Sequence, residues 1–562
     1  MSSRLQALNL TDFTGGINVR RNDFNLAENE SPRMLNIEVD PRGGFYTRRG
    51  WSRWNDIENV GDPTTWRPRS GELHALANGS YTVYVASAGK VWAVSPNGDA
   101  TDAGIACNAT PHLADYASWG DTMYFACGLG NRVQKRIGAS GTFPLAPALP
   151  TDPITWNSDY TVPVGGVVPL CQHITAHAGY MWVANTIEAG TAHPLRIRWS
   201  HNDNPEDFAE EDFIDIKDGG GYISAIMPFE DHLLVFKPNS VWAIYGYDSE
   251  SWQVIQVSRT VGAHTPGAVT RSEGAVFFYS GSGRSGIYGW AGEEITHLSE
   301  KLRVVMEEIQ VPGDVWVTWT GRRLWCSLPW IPPDLQQPVS SHAPTMTTFI
   351  FDPEVGQGAW VVHRPAIGDL SVVIERSDIS TEYPLGCIVG VDGQTPIVWL
   401  DHRSQAFDVM DITGTNSPFW AGYTTGWQHA GWPERRKSWR RPRFVCREPE
   451  SVVRIRMDTF WDYQQDTPMR THVLELDAEG NVFWRATGSL EPNGFDWGDG
   501  TEWGAAESSG ASLNRPQPAG VPGGLGVKKA IQLRFTSDTA TLGQAWGIDA
   551  GVLKYVLRRF TT

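Results

Sequence analysis

The 562-residue chain exceeds the length of one ordinary domain, so two or three domains are expected. Hydrophobic residues make up 41% of it, which allows a large core and argues against global disorder. The formal net charge of −17 disfavours general attraction to nucleic acid or to anionic membranes. No apolar leader opens the sequence and no window approaches 18 apolar residues, so we expect neither a signal peptide nor a membrane span.

The first 65 residues are predicted to form an extended arm that docks, and not a domain. The stretch TGGINVRRNDFNLAENESPRMLNIEVDPRGGFYTRRGW, from Thr14 to Trp51, combines paired glycines, a polar run with Pro32 and two arginine pairs. It lacks the periodicity of a helix or of a sheet core. A segment without its own core gains stability by docking on the rest of its chain or on a partner, with glycines where chains approach closely. We expect a soluble, folded propeller to remain when residues 1–50 are removed.

Residues 66–405 are predicted to form a β-propeller. Short apolar strands alternate with polar turns, and many strands carry an aromatic residue: KVWAV, TMYFA, YMWVAN, SVWAIYG, GIYGW, RLWCSL, GAWVVH and PIVWLD. Units of about 40 to 50 residues that each form a small antiparallel sheet are typical of propeller blades. We expect six to eight blades, with seven the expected number. A stacked pair of β-sandwiches is the alternative.

One helix is expected inside this region, in SEKLRVVMEEI. Ser299 is placed to cap its first turn, and an apolar stripe follows at helical spacing. The stripe consists of Leu302, Val305, Met306 and Ile309. At about three turns, the helix is predicted to be a connector between blades.

Residues 406–562 are predicted to form a C-terminal β-sandwich. Strand-like runs such as SVVRIRMDTFW, THVLELDAEGNVFWRATG and AIQLRF are separated by a Gly-, Ser- and Pro-rich stretch. That stretch, residues 492–526, is expected to be a long surface loop.

No motif predicts catalysis, a metal or a cofactor. His173 and His177 stand four apart, but Ile174 occupies the position where a zincin carries glutamate, so we interpret both as structural. The acidic run from Asp203 to Asp218 lacks EF-hand spacing and is expected to be a solvated loop. The DWGDGTEWG segment is interpreted as an exposed turn. Nucleophile-elbow, P-loop and dinucleotide motifs are absent from the sequence, so the chain is predicted not to be an enzyme.

The six cysteines are scattered and form no C-x-x-C pair. Several occur in apolar strand-like runs, so we expect buried free thiols in a reducing cytosol, and not disulfides. They are Cys107, Cys127, Cys171, Cys326, Cys387 and Cys446.

A basic segment opens the C-terminal region, in HAGWPERRKSWRRPRF. Six of the nine positions from Arg435 to Arg443 are Lys or Arg, and Trp439 lies among them. Arginines among aromatic residues suit stacking on single-stranded nucleic acid, and they also suit bidentate pairing with carboxylates at a protein interface. Because the chain is acidic overall, we predict that this segment contacts an acidic patch on an identical neighbour.

The N-terminal segment DFTGGINVRRNDFNLAENESPRMLNIEVDPRGGFYTRRGW resembles the N-terminal signature of phage tail β-propeller proteins. The match rests on Gly15, Gly16, Ile17, Asn18, Leu26, Glu30, Asn36, Gly43, Gly44, Arg48, Arg49 and Gly50. The strings RIRWSHNDNPEDF, ISAIMPFEDHLLVFKPNSVWAIYG and LKYVLRRF are similar to the same family. This family includes the nozzle, or tail tubular B type, of short-tailed phages and minor tail proteins of long-tailed phages.

The resemblance implies a non-enzymatic virion protein that is assembled in the host cytoplasm into a tail ring, most often a hexamer. Such a ring extends the DNA ejection channel below the adaptor and carries fibres or spikes, and a negative protein would let DNA slide without specific binding. The expected assembly residues are Gly15, Gly16, Ile17, Asn18, Arg20, Arg21, Asn36, Gly43, Gly44, Arg48, Arg49, Arg435, Arg436, Lys437, Trp439, Arg440, Arg441 and Arg443.

Two alternatives to the nozzle stay open. One is a minor tail protein that attaches to the host surface or to fibres. The other is a propeller-type glycan hydrolase, which would need a pair of carboxylates facing the central axis.

Overall fold

A computed structural model describes the chain outside a set of short segments and one longer one. The residues not described are 1–4, 22–24, 55–69, 88, 108–113, 139–140, 148, 158–166, 220, 332–345, 367, 376–383, 391–396, 401–406, 410–415, 441, 448, 450, 465–467, 477–481, 487–517, 521–524, 543 and 559–562. The described residues form mostly β-strands, many of them in four-stranded antiparallel sheets with a propeller-like arrangement. The predicted all-β class is therefore confirmed.

Seven short strands occupy the N-terminal segment. They are β1 (Gln6–Leu10), β2 (Gly16–Ile17), β3 (Glu30–Ser31), β4 (Arg33–Leu35), β5 (Ile37–Val39), β6 (Phe45–Thr47) and β7 (Trp51–Arg53). β2 and β3 pair with each other in parallel, whereas most of the others join sheets built by distant parts of the chain.

Six four-stranded antiparallel sheets follow, each with its strands in sequence order. The first three are β8 (Ser70–Ala75), β9 (Tyr81–Ser87), β10 (Lys90–Val94) and β11 (Ala100–Ala106); β12 (Asp115–Trp119), β13 (Thr122–Ala126), β14 (Gln134–Ile137) and β15 (Thr142–Pro144); and β16 (Leu170–His177), β17 (Tyr180–Glu188), β18 (Thr191–Trp199) and β19 (Phe213–Asp215). The next three are β20 (Ala225–Phe229), β21 (His232–Phe236), β22 (Val241–Tyr245) and β23 (Gln253–Ser258); β24 (Val269–Arg271), β25 (Val276–Ser280), β26 (Gly286–Trp290) and β27 (Ile295–His297); and β28 (Trp316–Trp319), β29 (Leu324–Leu328), β30 (Thr347–Asp352) and β31 (Ala359–His363).

A seventh sheet takes one strand from the N-terminal segment. Its order is β32 (Gly368–Ile374), β33 (Leu385–Gly390), β34 (Ile397–Leu400), β7, β35 (Phe407–Val409) and β36 (Asn416–Pro418). β7 is antiparallel to β34 and parallel to β35, so residues 51–53 complete a sheet made otherwise from residues 368–418.

The first strands of these sheets contact one another in sequence, from β8 through β12, β16, β20, β24 and β28 to β32, and β32 contacts β8 again. Aromatic pairs join successive sheets further out. Tyr84 lies 5.0 Å from Phe125, and Trp182 lies 5.0 Å from Trp252, between ring centroids. These pairs fill the widening space between twisted sheets, because each sheet alone would leave an apolar face in water.

The C-terminal strands form two further sheets that face each other. The strands are β37 (Gly422–Thr424), β38 (Lys437–Trp439), β39 (Arg443–Cys446), β40 (Val453–Trp461), β41 (Arg470–Leu476), β42 (Val482–Ala486), β43 (Pro518–Gly520), β44 (Gly526–Lys528), β45 (Ile531–Ser537) and β46 (Gly547–Leu557). One sheet has the order β4-β37-β45-β40-β41-β42. The other has the order β43-β39-β46-β38-β44, with β1 and β6 also on β46 and β5 on β6.

Aromatic side chains hold the two facing sheets together. Phe45 stacks on Tyr423 with ring centroids 4.2 Å apart, and Phe444 meets Phe535 edge to face at 5.1 Å. Since Phe45 belongs to β6, the N-terminal segment supplies part of this core. We therefore expect removal of residues 1–50 to disrupt these two sheets, because four strands of that segment lie in them.

The predicted helix is shorter than its pattern. α1 spans Arg303–Glu308 after a 3₁₀ turn at Glu300–Leu302, and Leu302, Val305, Met306 and Ile309 are all buried, which confirms the apolar stripe. Ser299 does not cap it. Its hydroxyl instead accepts a hydrogen bond from the Ile287 backbone N–H at 2.8 Å.

The prediction of free thiols is wrong for one cysteine pair and confirmed for the rest. Cys107 and Cys127 form a disulfide with Cα atoms 4.8 Å apart, because the ends of β11 and β13 meet where the first two sheets pack. Cys171, Cys326, Cys387 and Cys446 are buried free thiols. Burial raises the pKa of Cys387 to about 12, so this thiol stays protonated and unreactive.

The predicted structural histidines lie on β16, and buried His173 places Nε2 3.1 Å from the Ile223 carbonyl oxygen. The acidic run is less solvated than expected, because several of its carboxylates pair with neighbouring strands: Glu206 with Lys135, Asp215 with Arg196, and Asp218 with Lys237. The DWGDGTEWG segment, and most of the predicted 492–526 loop, lie outside the described residues.

Candidate functional site

The glycines of the N-terminal segment permit close contacts within the chain itself. Gly16 has φ +65°, and a Cβ atom there would lie 2.6 Å from the carbonyl oxygen of Trp360 in β31. Gly43 has φ +111° and approaches the Thr11 carbonyl. Gly15, Gly44 and Ile17 are also buried in this region. These positions let backbone lie on backbone, which any side chain would prevent.

A pocket of about 620 Å³ lies where this segment crosses the fifth and sixth sheets. Lys301 donates to the Gly15 carbonyl at 2.8 Å and lies 3.4 Å from the Glu30 carboxylate. Asn18 donates to the same carboxylate at 2.9 Å, and Arg20 forms an ion pair with Glu300. Arg21 lines the pocket and is exposed. Of the polar residues predicted for assembly, Asn18 and Arg20 therefore form hydrogen bonds or ion pairs with other residues of the same chain.

A fully buried ion pair joins the N-terminal segment to the seventh sheet. Both side chains of Arg48 and Asp408 are inaccessible to solvent, and two parallel hydrogen bonds of 2.9 Å connect them. Asn36, at φ 53°, accepts from Arg48 Nε at 2.9 Å through its side-chain oxygen. Asp408 also accepts from the Trp51 and Ala366 backbone N–H groups. Every charge is compensated, as a buried pair requires.

A second buried cluster fixes β5 against the sixth sheet. Arg323 donates to Glu38 at 2.9 Å and to Asp352 at 2.8 Å, and Tyr46 lies 3.3 Å from Glu38. Despite burial, the charge of Arg323 and its hydrogen bond lower the pKa of Glu38 to about 2. Burial lowers the pKa of His363 to about 3, so this imidazole is neutral in the folded protein.

We expect His363 to make the protein acid-labile, and His363→Phe to remove that contribution. In the unfolded chain the His363 imidazole binds a proton below about pH 6.5. In the folded protein the same imidazole stays neutral down to about pH 3. The free energy of unfolding should therefore fall as pH falls through this window. Urea unfolding at pH 7.5 and 5.0 should show about 2 kcal/mol less loss in the variant. All other histidines are common to both proteins, so equal losses would contradict the assignment.

The basic segment divides between the two faces of β38. Lys437 and Trp439 point into the core, where the Lys437 ammonium donates to the Arg435 and Lys529 carbonyls at 2.9 and 2.7 Å. Burial lowers the pKa of Lys437 to about 8. Trp439 packs 5.2 Å from Tyr555, between ring centroids. Both side chains lie on the face of β38 that packs against the core, so they are covered within the chain.

Arg436, Arg440 and Arg443 are exposed and form the basic face of this sheet. Within the described residues none of their side chains has an ion-pair partner. Lys554 lies beside them, because its carbonyl accepts from the Arg440 backbone N–H. Arg435 lies 5.4 Å from the ring of Trp432, which is 49% exposed. Arg49 is half-buried near Glu38, and Arg441 lies outside the described residues.

The third and fourth sheets carry an acidic face. Burial, followed by the nearby carboxylates of Asp248, Asp212 and Asp203, raises the pKa of Tyr180. Glu250 is exposed beside them, and Tyr247 is 80% exposed. These residues place negative charge and one exposed aromatic ring on the same side of the third and fourth sheets.

A central cavity of about 410 Å³ is lined by the first strands of all seven sheets. Glu72, Asp115, Arg271 and Glu375 line it together with Tyr116. Glu72 is open to the cavity yet surrounded by protein, so its carboxylate is partly dehydrated. Burial, then the charges of Asp115 and Glu375, raise the pKa of Glu72 to about 7.

The N-terminal motif singles out Arg48, but nothing in it indicates the partner Asp408 or the Glu38–Arg323 cluster. Glu38 stands between Ile37 and Val39, and Asp408 stands between Phe407 and Val409. A single charge between apolar strand residues is the available signal, since burial of such a charge requires a partner. The cavity residues come from separate strands, so no local pattern unites them.

The described residues contain no grouping of three or more His, Cys, Asp or Glu side chains suited to a metal ion. No helix in the described ranges has the length and apolarity to cross a membrane.

No family model matches the sequence, and no curated protein matches it. Among solved structures, selenomethionine-substituted virginiamycin B lyase from Staphylococcus aureus is similar at 15% identity and TM-score 0.30, over 58% of this chain and 96% of that one. BBS1N in complex with ARL6DN is similar at 11% identity and TM-score 0.35, over 63% and 98%. The AfRom2 CNH domain is similar at 11% identity and TM-score 0.23, over 41% and 63%. These likenesses assign no activity to this chain.

Proposed function

We propose that the protein is a non-enzymatic component of a phage tail that assembles into a ring, the nozzle, around the DNA ejection path. The proposal rests first on the resemblance of residues 12–51 to phage tail propeller proteins. The observation that carries the ring is the pair of exposed faces of opposite charge, one on the sandwich and one on the third and fourth sheets.

For the architecture, we propose a seven-bladed propeller whose last blade is completed by β7, joined to a sandwich that incorporates β1, β4, β5 and β6. The continuous series of contacts from β8 to β32 and back to β8 supports seven blades. In such a ring the third and fourth blades lie opposite the sixth and seventh, against which the sandwich packs. The basic and acidic faces then lie on opposite sides of the molecule.

Opposite placement suits a contact that repeats head to tail. A surface on one copy that meets a different surface on the next gives a closed ring when the rotation closes. Arg436, Arg440 and Arg443 would meet the carboxylates of Asp203, Asp248 and Glu250 on the neighbour. Arginines present fixed forks of donors to carboxylates, and exposed pairs of this kind set orientation and association rate. The expected assembly role of the buried Arg48, Lys437 and Trp439 becomes internal support.

Reversing the basic face, with Arg436→Glu, Arg440→Glu and Arg443→Glu, should weaken self-association about tenfold or more, because like charges then meet. Sedimentation velocity across a concentration series at 50 mM salt measures the change. A matched control reverses three other exposed cations, Arg42, Lys90 and Arg303, and should associate as the unmodified protein does. An unmodified protein that stays monomeric at every concentration and on tail-less particles would overturn the ring.

A complementary variant makes the test specific to the two faces. Asp203→Lys, Asp248→Lys and Glu250→Lys should also abolish self-association, but a mixture of both triple variants should assemble, since each reversed face then meets its opposite. If the mixture stays dissociated, the proposal that the basic face of one copy contacts the acidic face of the next is wrong. A monomer that binds host cells would favour the minor tail protein.

A further inference from the structure

We propose that the central cavity binds a small zwitterionic ligand, with its ammonium group on the side of Glu72, Asp115 and Glu375 and its anionic group on Arg271. The cavity volume of about 410 Å³ falls within the range of small-molecule sites. The inference concerns the interior of one chain and does not depend on ring assembly.

The charges of the cavity are separated by sheet order. Glu375 follows β32, Glu72 lies on β8 and Asp115 lies on β12, and these three strands are neighbours at the cavity wall. Arg271 ends β24, which reaches β8 only through β28 and β32 in one direction, or through β20, β16 and β12 in the other. Carboxylates therefore lie on one side and a guanidinium on the other. A ligand with one charge of each sign would complement both.

These charged groups have unused hydrogen-bonding capacity. Within the described residues, neither Glu72 nor Glu375 forms a hydrogen bond or an ion pair within 4 Å. Arg271 donates one bond, from Nη1 to the Pro228 carbonyl at 2.9 Å, and its other donors have no acceptor in the described chain. Asp115 differs, since it accepts from the Ile174 backbone N–H at 3.3 Å and lies 3.4 Å from His173. Glu72, Glu375 and Arg271 are thus the groups available to a ligand.

Electrostatic repulsion favours an ammonium group on the acidic side. Burial raises the pKa of both Glu72 and Glu375, the like charge of Asp115 adds to this at Glu72, and the charge of Arg271 across the cavity offsets it only in part. An ammonium ion there would relieve this repulsion, and the Tyr116 ring at the wall can contribute a cation–π contact. A ligand with two cationic ends would instead place one of them against Arg271, and a dianion would face the carboxylates.

Three six-carbon probes of matched length separate these possibilities: 6-aminohexanoate, 1,6-diaminohexane and adipate. Isothermal titration calorimetry on the full chain at pH 8 should show 6-aminohexanoate binding at least tenfold more tightly than either of the others. Affinity should fall from pH 8 to pH 6, since protonation of Glu72 removes the partner of the ammonium group. Equal or tighter binding of the diamine, binding that does not depend on pH, or no binding of any probe would overturn the proposal.

Variants then place the ligand in the cavity. Glu72→Gln and Arg271→Met should each weaken 6-aminohexanoate binding about tenfold or more, while Glu293→Gln, an exposed carboxylate in the turn after β26, should leave it unchanged. Glu72→Gln is isosteric and its folding is checked by its circular dichroism spectrum. If Arg271→Met fails to fold, the pH dependence and Glu72→Gln still decide. If Glu72→Gln binds 6-aminohexanoate as tightly as the unmodified protein does, the ligand does not bind beside Glu72.

Discussion

Replacing Arg48 by methionine should destabilise the protein by about 3–5 kcal/mol, because the carboxylate of Asp408 would remain buried without its cation. Both side chains are inaccessible to solvent, and Arg48 also links Asn36, the Arg364 carbonyl and the Phe419 ring. The seam between the N-terminal segment, the seventh sheet and the sandwich depends on this one guanidinium. Urea unfolding at pH 7.5, followed by tryptophan fluorescence, measures the loss.

Two further variants distinguish charge burial from general damage. Arg42→Met, at an exposed arginine in the turn between β5 and β6, should change the free energy of unfolding by less than about 0.5 kcal/mol. Adding Asp408→Asn to Arg48→Met should recover part of the loss, since the uncompensated charge is then gone. If the single Arg48→Met variant is as stable as the unmodified protein, the buried ion pair does not stabilise the contact between the N-terminal segment and the seventh sheet.

Removal of residues 1–50 should abolish folding of the sandwich. The deletion takes β1 and β6 from β46, β4 from β37, and the Phe45 ring from the shared aromatic core. The exposed apolar faces should cause aggregation or strong binding of the dye ANS, and the near-ultraviolet circular dichroism of the tryptophans should be lost. This outcome is the opposite of what a separable arm would give.

Cleavage tests the same point without deletion. A protease site inserted between β7 and β8 allows the folded protein to be cut after it has formed. The N-terminal fragment should then stay bound in native buffer and separate only in denaturant, since seven strands and two buried ion clusters hold it. A control protein with the same insertion, left uncut, gives the reference elution volume in size-exclusion chromatography. If the fragment is released and the rest of the protein stays folded, the N-terminal segment is a separable arm after all.

Local patterns predicted the strands well. KVWAV, TMYFA and GIYGW coincide with β10, β13 and β26, because a short apolar run bounded by turn residues is a signal that depends only on neighbours in sequence. The basic segment illustrates a partial success. Its charge was evident, but the burial of Lys437 and Trp439 follows from strand alternation, which the dense charges of RRKSWRR obscured.

Pairing between remote segments could not be predicted. Nothing in QALNL, the sequence of β1, indicates that its partner is β46, because register is set by the surface that receives the strand. The same holds for Arg48 and Asp408, which are brought together only when β7 enters the seventh sheet. The cavity charges likewise meet only through the order of the sheets.

The pairing of β1 with β46 also sets the order of events during synthesis. Within the early segment β2 pairs with β3 and β5 pairs with β6, but β7, β4 and β1 have no partner strand until residues 397–400, 422–424 and 547–557 have been made. At elongation rates of about 5–20 residues per second, β1 to β7 wait on the order of half a minute or more. During that time their unpaired edges and the Phe45 side chain are open to other chains. Crowded expression should therefore favour exchange of this segment between copies, and a lower expression level with chaperone present should increase the yield of correctly closed protein.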